Sequence, residues 1–205
     1  MEPKSHWEEV YASKSPDAVS WYAPHLRESL AYIQRTQLSR SARIIDVGGG
    51  EATLVDDLLD AGYRKVSVLD ISANAIQVCK QRLGSRAANV NWYVADVLEQ
   101  QFEPGSFDVW HDRAVFHFLT SDEQRAAYVR QVMHALKPGG YAIVGTFGPQ
   151  GPTQCSGLPV ARYAPDELHG QFGARFTLVE SSVDVHKTPW GSDQQFVYCF
   201  CRLEH

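Results

Sequence analysis

The sequence has few cysteines, no long hydrophobic run and no cluster of like charge. Its four cysteines in 205 residues show neither a disulfide framework nor a zinc-binding spacing, which favours a reducing, cytoplasmic location. No segment approaches the roughly 18 apolar residues that a membrane span needs, and the N-terminus is too polar for a signal peptide. The 24 acidic and 19 basic residues give a net charge of −5, which disfavours a nucleic-acid-binding surface. We therefore expect neither a membrane nor a nucleic-acid partner.

What the sequence does contain is typical of one globular domain. Apolar residues make up 44% of the chain and charged residues 21%, which is enough for a hydrophobic core. We divide the chain into an N-terminal cap over residues 1–40 and a core over residues 41–202. Residues 203–205, Leu-Glu-His, are interpreted as the remnant of an affinity tag and are left out of the fold prediction.

The core alternates strand-like and helix-like segments. Short apolar runs that end in Gly or Asp predict strands, and apolar residues three and four apart predict helices. Because strand–helix–strand units form right-handed crossovers, this order predicts an α/β fold, a doubly wound, mostly parallel sheet with helices on both faces. The predicted strands are 43–47, 66–69, 90–94, 107–110 and 141–147, and the predicted helices are 53–61, 72–83 and 121–136.

Both ends of the chain depart from this alternation. Residues 176–179 and 195–201 resemble strands with no long helix between them. They predict an antiparallel C-terminal hairpin at the edge of the sheet, which would then have seven strands. The first forty residues are rich in aromatic side chains and contain a helix-like segment at 24–33. We expect this part to form the cap over the sheet edge.

Acidic residues and glycines gather where the predicted strands end. In an open parallel sheet, ligands bind beyond the carboxyl ends of the strands. Asp46 leads into the glycine turn Gly48–Gly50, which lacks the last glycine of the dinucleotide fingerprint because Thr53 occupies that place. Asp70 could accept both hydroxyls of a ribose or simply cap the next helix. Asp96 could accept a hydrogen bond from an adenine amino group or be an ordinary turn residue.

Five segments resemble, in this order, those of the class I S-adenosylmethionine-dependent methyltransferases, the seven-stranded Rossmann-like type: Ile44–Ala52, Val68–Ile71, Ala95–Val97, Phe107–Trp110 and Leu136–Gly140. The departure is Ala52, where many members have Gly. The resemblance implies S-adenosylmethionine as the cofactor. It places the glycine turn against the methionine part, the second acid on the ribose and the third by the adenine. The predicted cofactor-binding residues are Asp46, Gly48, Gly49, Gly50, Asp70, Ile71, Asp96, Val97, Arg113 and Trp21.

Methyl transfer from a sulfonium depends on alignment more than on a catalytic group. The leaving group is a neutral thioether, and a base is needed only when the nucleophile begins protonated. His117 could serve as that base, or it could be a histidine packed beside two phenylalanines. Cys155 and His186 could form a pair that binds a soft metal or activates the thiol, or they could be unrelated loop residues. We predict no resident metal.

Candidates for substrate contact come from the loop after the fifth strand and from the cap. The loop is long and rich in Gly and Pro, and Cys155, Arg162 and Tyr163 are its candidates. Tyr22 is the candidate from the cap, and the neighbouring Trp21 offers cation–π attraction to a sulfonium. Arg113 could pair with the carboxylate of the cofactor or with an acidic substrate.

The sequence therefore predicts a cytoplasmic methyltransferase that acts on a small molecule by in-line methyl transfer. The short chain leaves little room for a macromolecular docking domain, and the aromatic cap indicates an enclosed pocket. Two alternatives remain open, a protein lysine methyltransferase of the seven-stranded type and a cofactor-binding domain without turnover. Residues 112–116 loosely resemble a segment of such lysine methyltransferases, but Ala114 and Val115 break the match.

Overall fold

A computed structural model describes residues 3–205 of the chain. Helices and strands alternate through the middle of the chain, and two long strands end it. In chain order the elements are α1 (Pro3–Ser13), α2 (Arg27–Arg35), β1 (Arg43–Val47), α3 (Leu54–Asp60), β2 (Lys65–Asp70), α4 (Ala73–Leu83), β3 (Val90–Val94), β4 (Phe107–Arg113), α5 (Asp122–Ala135), β5 (Leu136–Phe147), β6 (Gln154–Cys155), β7 (Leu158–Pro159), α6 (Pro165–Phe172), β8 (Phe176–Lys187) and β9 (Asp193–Leu203).

The main sheet has seven strands in the order β3-β2-β1-β4-β5-β9-β8. Strands β1 to β5 run parallel, and β9 pairs antiparallel with both β5 and β8. The predicted fold class, including the antiparallel C-terminal edge, is confirmed. The strand order reverses between β1 and β4, and such a switch point leaves a crevice at the carboxyl ends of these two strands.

Each face of the sheet carries its own hydrophobic core. Ile44 and Ile45 are both fully buried, but they belong to different cores because successive side chains of a strand point to opposite faces. The core that contains Ile45 packs against Tyr128 and Val132 of α5. The core that contains Ile44 packs against the helices of the other face, for example through Leu54 of α3. Helices therefore cover both faces, as the continuously apolar strands predicted.

Several strands are longer than the sequence patterns predicted. β4 continues past Trp110 to Arg113, because His111 and Asp112 pair with β1 on one side and β5 on the other. β5 begins at Leu136, directly after α5, and crosses the Pro- and Gly-containing segment with a shift of register. β8 and β9 also extend beyond their predicted ends. Pairing with neighbouring strands decides these boundaries, and single-segment patterns do not contain that information.

The cap is more helical than predicted. Helix α1 was not predicted, and α2 begins at Arg27, later than expected. The first two residues of the predicted cap lie outside the described residues. At the other end, Leu203 is a buried residue of β9 opposite Phe176, so the strand continues into the segment interpreted as a tag remnant. Within residues 3–205, no helix is both long and apolar enough to cross a membrane.

Candidate functional site

A cavity of about 180 Å³ lies at the carboxyl ends of β1, β2 and β4. Its floor contains Gly48, Asp70 and Asp96, which follow three different strands. Its roof includes Trp7 and Tyr11 of α1. The cavity therefore lies between the strand ends and the cap, at the place where the fold predicts a ligand.

The glycine turn after β1 has no room for larger side chains. Gly48 has a φ of +65°, and a Cβ there would lie 1.9 Å from Cγ2 of Val115. Gly50 has a φ of +52°, and a Cβ there would lie 2.6 Å from the hydroxyl of Tyr11. Both the backbone conformation and the close contacts therefore require glycine at these two positions. The turn brings main-chain atoms to the cavity wall, where a ligand can approach them closely.

Asp70 is buried at the end of β2 and holds the glycine turn. Its Oδ2 accepts a hydrogen bond from Gly50 N at 2.8 Å, and its Oδ1 accepts one from Ser72 N at 2.9 Å. Burial raises the pKa of Asp70 to about 6, although these backbone hydrogen bonds oppose the shift. The cap of α4 is Ser72, whose hydroxyl accepts from Ala75 N. Asp70 is therefore not needed as the helix cap and lines the cavity instead.

Asp96 follows β3 and combines the two roles considered for it. Its Oδ1 accepts a hydrogen bond from Leu98 N at 2.8 Å, which makes it part of an ordinary turn. Asp96 and Val97 also line the cavity, and β2 separates β3 from β1, the strand that leads into the glycine turn. The turn thus fixes the orientation of a carboxyl group that borders the cavity.

A second, smaller cavity of about 40 Å³ lies on the other side of the glycine turn. It shares Trp21, Gly48 and Arg113 with the first cavity, so the two adjoin. His111 on β4 borders it, and its Nδ1 lies 2.7 Å from Oδ1 of Asp46 on β1, the residue it pairs with in the sheet. Between them, the two cavities are lined by every predicted cofactor-binding residue: Asp46, Gly48, Gly49, Gly50, Asp70, Ile71, Asp96, Val97, Arg113 and Trp21.

Arg113 lies where the two cavities meet. Its Nη1 donates a hydrogen bond to Trp21 O at 3.2 Å, and its guanidinium carbon lies 4.4 Å from the ring centre of Phe196. The turn that follows is shaped by Asp112, which accepts hydrogen bonds from Val115 N at 2.8 Å and from Phe116 N at 3.1 Å. Arg113 is thus held between the cap and the end of the sheet.

The three catalytic candidates are placed very differently. His117 is fully buried, contacts Phe118 and Phe147, and lines neither cavity. Burial, and to a lesser extent Arg113, lowers its pKa to about 3. Such a histidine is neutral at pH 7, but the structure does not bring it to the cavities. Its placement agrees with the packed alternative.

Cys155 and His186 both contact Ser20 of the cap. His186 Nε2 lies 2.8 Å from Ser20 O, and Cys155 makes a side-chain hydrogen bond with Ser20. Burial raises the pKa of Cys155 to about 11, and burial lowers the pKa of His186. Cys155 lines the first cavity as a protonated thiol, which is a poor nucleophile. Among residues 3–205, no three His, Cys, Asp or Glu side chains are grouped so as to hold a metal ion.

Of the candidates for substrate contact, Tyr22 lines the second cavity, Cys155 lines the first and Arg113 lines both. Arg162 Nη1 donates to the carbonyl oxygens of Pro149 and Gly151, at 2.8 and 3.1 Å, and so braces its own loop. Tyr163 is buried in the core, where its ring packs against Phe116. The direction of a loop side chain depends on the path of the loop, which the composition of the loop does not give.

Other residues of the site were not among the predicted ones. Trp7 and Tyr11, spaced four apart on α1, form the roof of the first cavity. Glu51 directly follows the glycine turn and borders the second cavity. The spacing of the two aromatic residues was a usable signal for a helix, and the position of Glu51 within the glycine motif was a signal for a site residue.

The residues present fit an adenosyl sulfonium. The glycine turn at Gly48 and Gly50 forms a cradle that any Cβ would fill, and Asp70 supplies a buried carboxylate of the kind that accepts ribose hydroxyls. Asp96 supplies a carboxylate acceptor and Val97 a backbone N–H group, both on residues that line the same cavity. The glycine turn after β1, Asp70 at the end of β2 and Asp96 after β3 follow one another along the edge of the sheet, because these three strands are neighbours.

Comparison with known proteins gives the same assignment. A family model described as a methyltransferase domain matches residues 44–140. The eEF1A lysine and N-terminal methyltransferase of Danio rerio is 28% identical over 145 residues, which cover 69% of this chain and 21% of that protein. This chain thus spans about a fifth of the length of that relative.

Two solved structures share the fold. One is described as "Conversion of a Disulfide Bond into a Thioacetal Group during Echinomycin Biosynthesis". It superposes with a TM-score of 0.80 at 20% identity and covers 98% of this chain and 93% of its own. The other is the 1,6-didemethyltoxoflavin-N1-methyltransferase of Burkholderia thailandensis, with bound 1,6-didemethyltoxoflavin and S-adenosylhomocysteine. It has a TM-score of 0.69 at 19% identity, with 96% and 82% covered.

The matched methyltransferase domain, the strand order and the glycine turn all point to the same class of enzyme. Together they confirm the predicted enzyme class and its cofactor, S-adenosylmethionine. The chain therefore contains a methyltransferase domain over residues 44–140 and has the fold of the class I S-adenosylmethionine-dependent methyltransferases.

Proposed function

We propose that this protein transfers the methyl group of S-adenosylmethionine to a small molecule bound beneath the N-terminal cap. The observation that carries the proposal is the enclosure of the site. Trp7 and Tyr11 of α1 cover the first cavity, and Trp21 and Tyr22 border the second. An acceptor must fit under these side chains, which favours a compact molecule over a folded protein surface.

The bound cofactor would supply a methyl group on a sulfonium, which transfers in line to a nucleophile as a neutral thioether departs. In this chain, Asp70 would bind the ribose hydroxyls and Asp96 the adenine amino group. Arg113 would pair with the carboxylate of the cofactor, and the indole of Trp21 would lie near the sulfonium. The main contributions of the protein are then alignment of the two reactants and exclusion of water.

Neither His117 nor Cys155 acts as a general base in this reaction. His117 is buried away from both cavities, and the Cys155 thiol is protonated at neutral pH. This suits methyl transfer, since no proton has to reach the leaving group. An acceptor that carries a free lone pair can react once it is aligned with the methyl group.

A second candidate function is the methylation of a protein lysine. One observation favours it: the relative from Danio rerio is named as an eEF1A lysine and N-terminal methyltransferase, at 28% identity. Against it stands the cap, which limits how much of a protein could reach the junction at Arg113. The post-β4 segment, with Ala114 and Val115, also departs from the pattern of that enzyme type.

Labelled methyl transfer separates these functions. An extract of the source cells is divided by size into metabolites and proteins, and each fraction receives the enzyme and methyl-tritiated S-adenosylmethionine. We expect label in the metabolite fraction, and none with Asp70→Ala. Label on protein lysine would instead favour the second function. Binding of S-adenosylhomocysteine with no transfer to either fraction would indicate a cofactor-binding domain without turnover.

A further inference from the structure

Two buried polar atoms beside the second cavity lack a hydrogen-bond partner within the described residues. They are Nε2 of His111 and Oε2 of Glu51. His111 is completely buried and Glu51 is 8% exposed, and both line the same cavity. A buried polar atom without a partner costs free energy, so two of them on residues that line one cavity favour a polar ligand there.

Both atoms are hydrogen-bond acceptors. Oδ1 of the Asp46 carboxylate lies 2.7 Å from His111 Nδ1 and can only accept, so in a ring with a single proton that proton lies on Nδ1 and Nε2 offers a lone pair. Glu51 has no proton to donate when ionised. Burial raises its pKa to about 7, while Arg82 acts in the opposite direction and Asp70 adds to the increase. A ligand that satisfies both atoms must therefore be a donor, and a cation would also favour the ionised form of Glu51.

The cavity limits the ligand to a small head group. Its volume is about 40 Å³, whereas one water molecule needs about 10–15 Å³. A primary ammonium fits this space and carries three N–H donors. The aromatic rings of Trp21 and Tyr22 also border the cavity and favour a cation. Arg113, on the side shared with the first cavity, is placed to pair with a carboxylate on the same ligand.

We propose that the second cavity is an ammonium site in which Glu51 and His111 accept hydrogen bonds from one –NH₃⁺ group. Asp46 acts as a positioning residue that holds the tautomer of His111. The site adjoins the cofactor cavity at Gly48, so its place in the reaction rests on the proposed function. Two sources can supply the group, the amino-acid end of the cofactor and a primary amine acceptor.

The experiment measures binding by calorimetry in the wild type, Glu51→Gln and His111→Gln. The matched control is Glu103→Gln, which removes the same charge from an exposed residue far along the chain. Three probes are titrated: S-adenosylhomocysteine, its analogue without the α-amino group, and n-butylammonium, the last into both the free protein and its S-adenosylhomocysteine complex. n-Butanol serves as the neutral probe.

If the cofactor supplies the ammonium, Glu51→Gln weakens binding of S-adenosylhomocysteine by about tenfold or more and leaves the deaminated analogue unaffected. If an acceptor supplies it, Glu51→Gln leaves S-adenosylhomocysteine unaffected and abolishes binding of n-butylammonium, while n-butanol does not bind to any form. Either result supports the site.

Unchanged affinities for all probes in Glu51→Gln and in folded His111→Gln would overturn the inference while the proposed function stands. Failure of the wild type to bind S-adenosylhomocysteine would overturn the proposed function instead. In that case, binding of n-butylammonium to the free protein and its loss in Glu51→Gln would still support the ammonium site.

Discussion

Glu8 connects helix α1, which covers the first cavity, to helix α4, and it can be changed without altering the cavity lining. Glu8 reaches the first turn of α4, where its carboxylate accepts hydrogen bonds from Ser72 Oγ, Ala73 N and Asn74 N at 2.7, 2.8 and 3.1 Å. Burial of Glu8 would raise its pKa, but these hydrogen bonds outweigh it and the pKa is lowered. The charge also lies at the positive end of the α4 dipole. We therefore expect Glu8 to hold the cap closed.

The change Glu8→Gln keeps the shape of the side chain and removes its charge. The loss of the charge–dipole interaction costs about 0.3–1 kcal/mol at a helix N-terminus, and the weaker hydrogen bonds add a similar amount. Because Glu8 is partly exposed, a total of about 1–2 kcal/mol is the reasonable scale. That corresponds to a shift of roughly 5- to 30-fold towards the open cap.

Two measurements report this shift. Amide hydrogen exchange in residues 3–13 should become faster, and S-adenosylhomocysteine should dissociate roughly 5- to 30-fold faster. The melting temperature should change little, because Val10 is the one buried residue of α1. Glu9→Gln, an exposed neighbour on the same helix, is the control. Equal dissociation and exchange rates in the two variants would show that Glu8 does not hold the cap closed.

Three further predictions concern the floor and the loop of the site. If Asp70 binds the ribose hydroxyls as proposed, it does so as the ionised carboxylate, and its pKa is about 6, so affinity for S-adenosylhomocysteine should fall towards tenfold per pH unit below pH 6. Asp70→Ala should bind weakly and without that pH dependence in calorimetry. Gly48→Ala should abolish binding, since its Cβ would lie 1.9 Å from Val115 Cγ2, and unchanged binding would refute the cradle. Protease cleavage within 148–163 should slow when S-adenosylhomocysteine is added; equal rates would argue against a loop that covers the site.

The parts of the site that are set by strand ends could be predicted from the sequence. Asp46, Asp70 and Asp96 each lie at or just beyond the carboxyl end of a strand, and parallel strands bring such positions to one edge of the sheet. The turn could also be predicted from its glycines, because the positive φ angles at Gly48 and Gly50 favour that residue type. Local pattern and topology are sufficient for these positions.

The candidates from loops could not be placed in the same way. Arg162 forms hydrogen bonds with carbonyl groups of its own loop, and Tyr163 lies in the core. His117 follows β4 closely in sequence but is packed beneath the turn that Asp112 shapes. These orientations depend on contacts between segments distant in the chain, and no spacing of residues in the sequence reports them.

The extension of β4 determines where His111, Asp112 and Arg113 lie. A strand that ended at Trp110 would leave His111, Asp112 and Arg113 in a loop. Paired with β1 and β5, the three alternate in direction. His111 then lies beside Asp46 at the second cavity, and Asp112 turns to the opposite face and fixes the following turn. Arg113 is left at the junction of both cavities. The longer pairing of β4 therefore gives three adjacent residues different positions: His111 at the second cavity, Asp112 at the following turn and Arg113 between the two cavities.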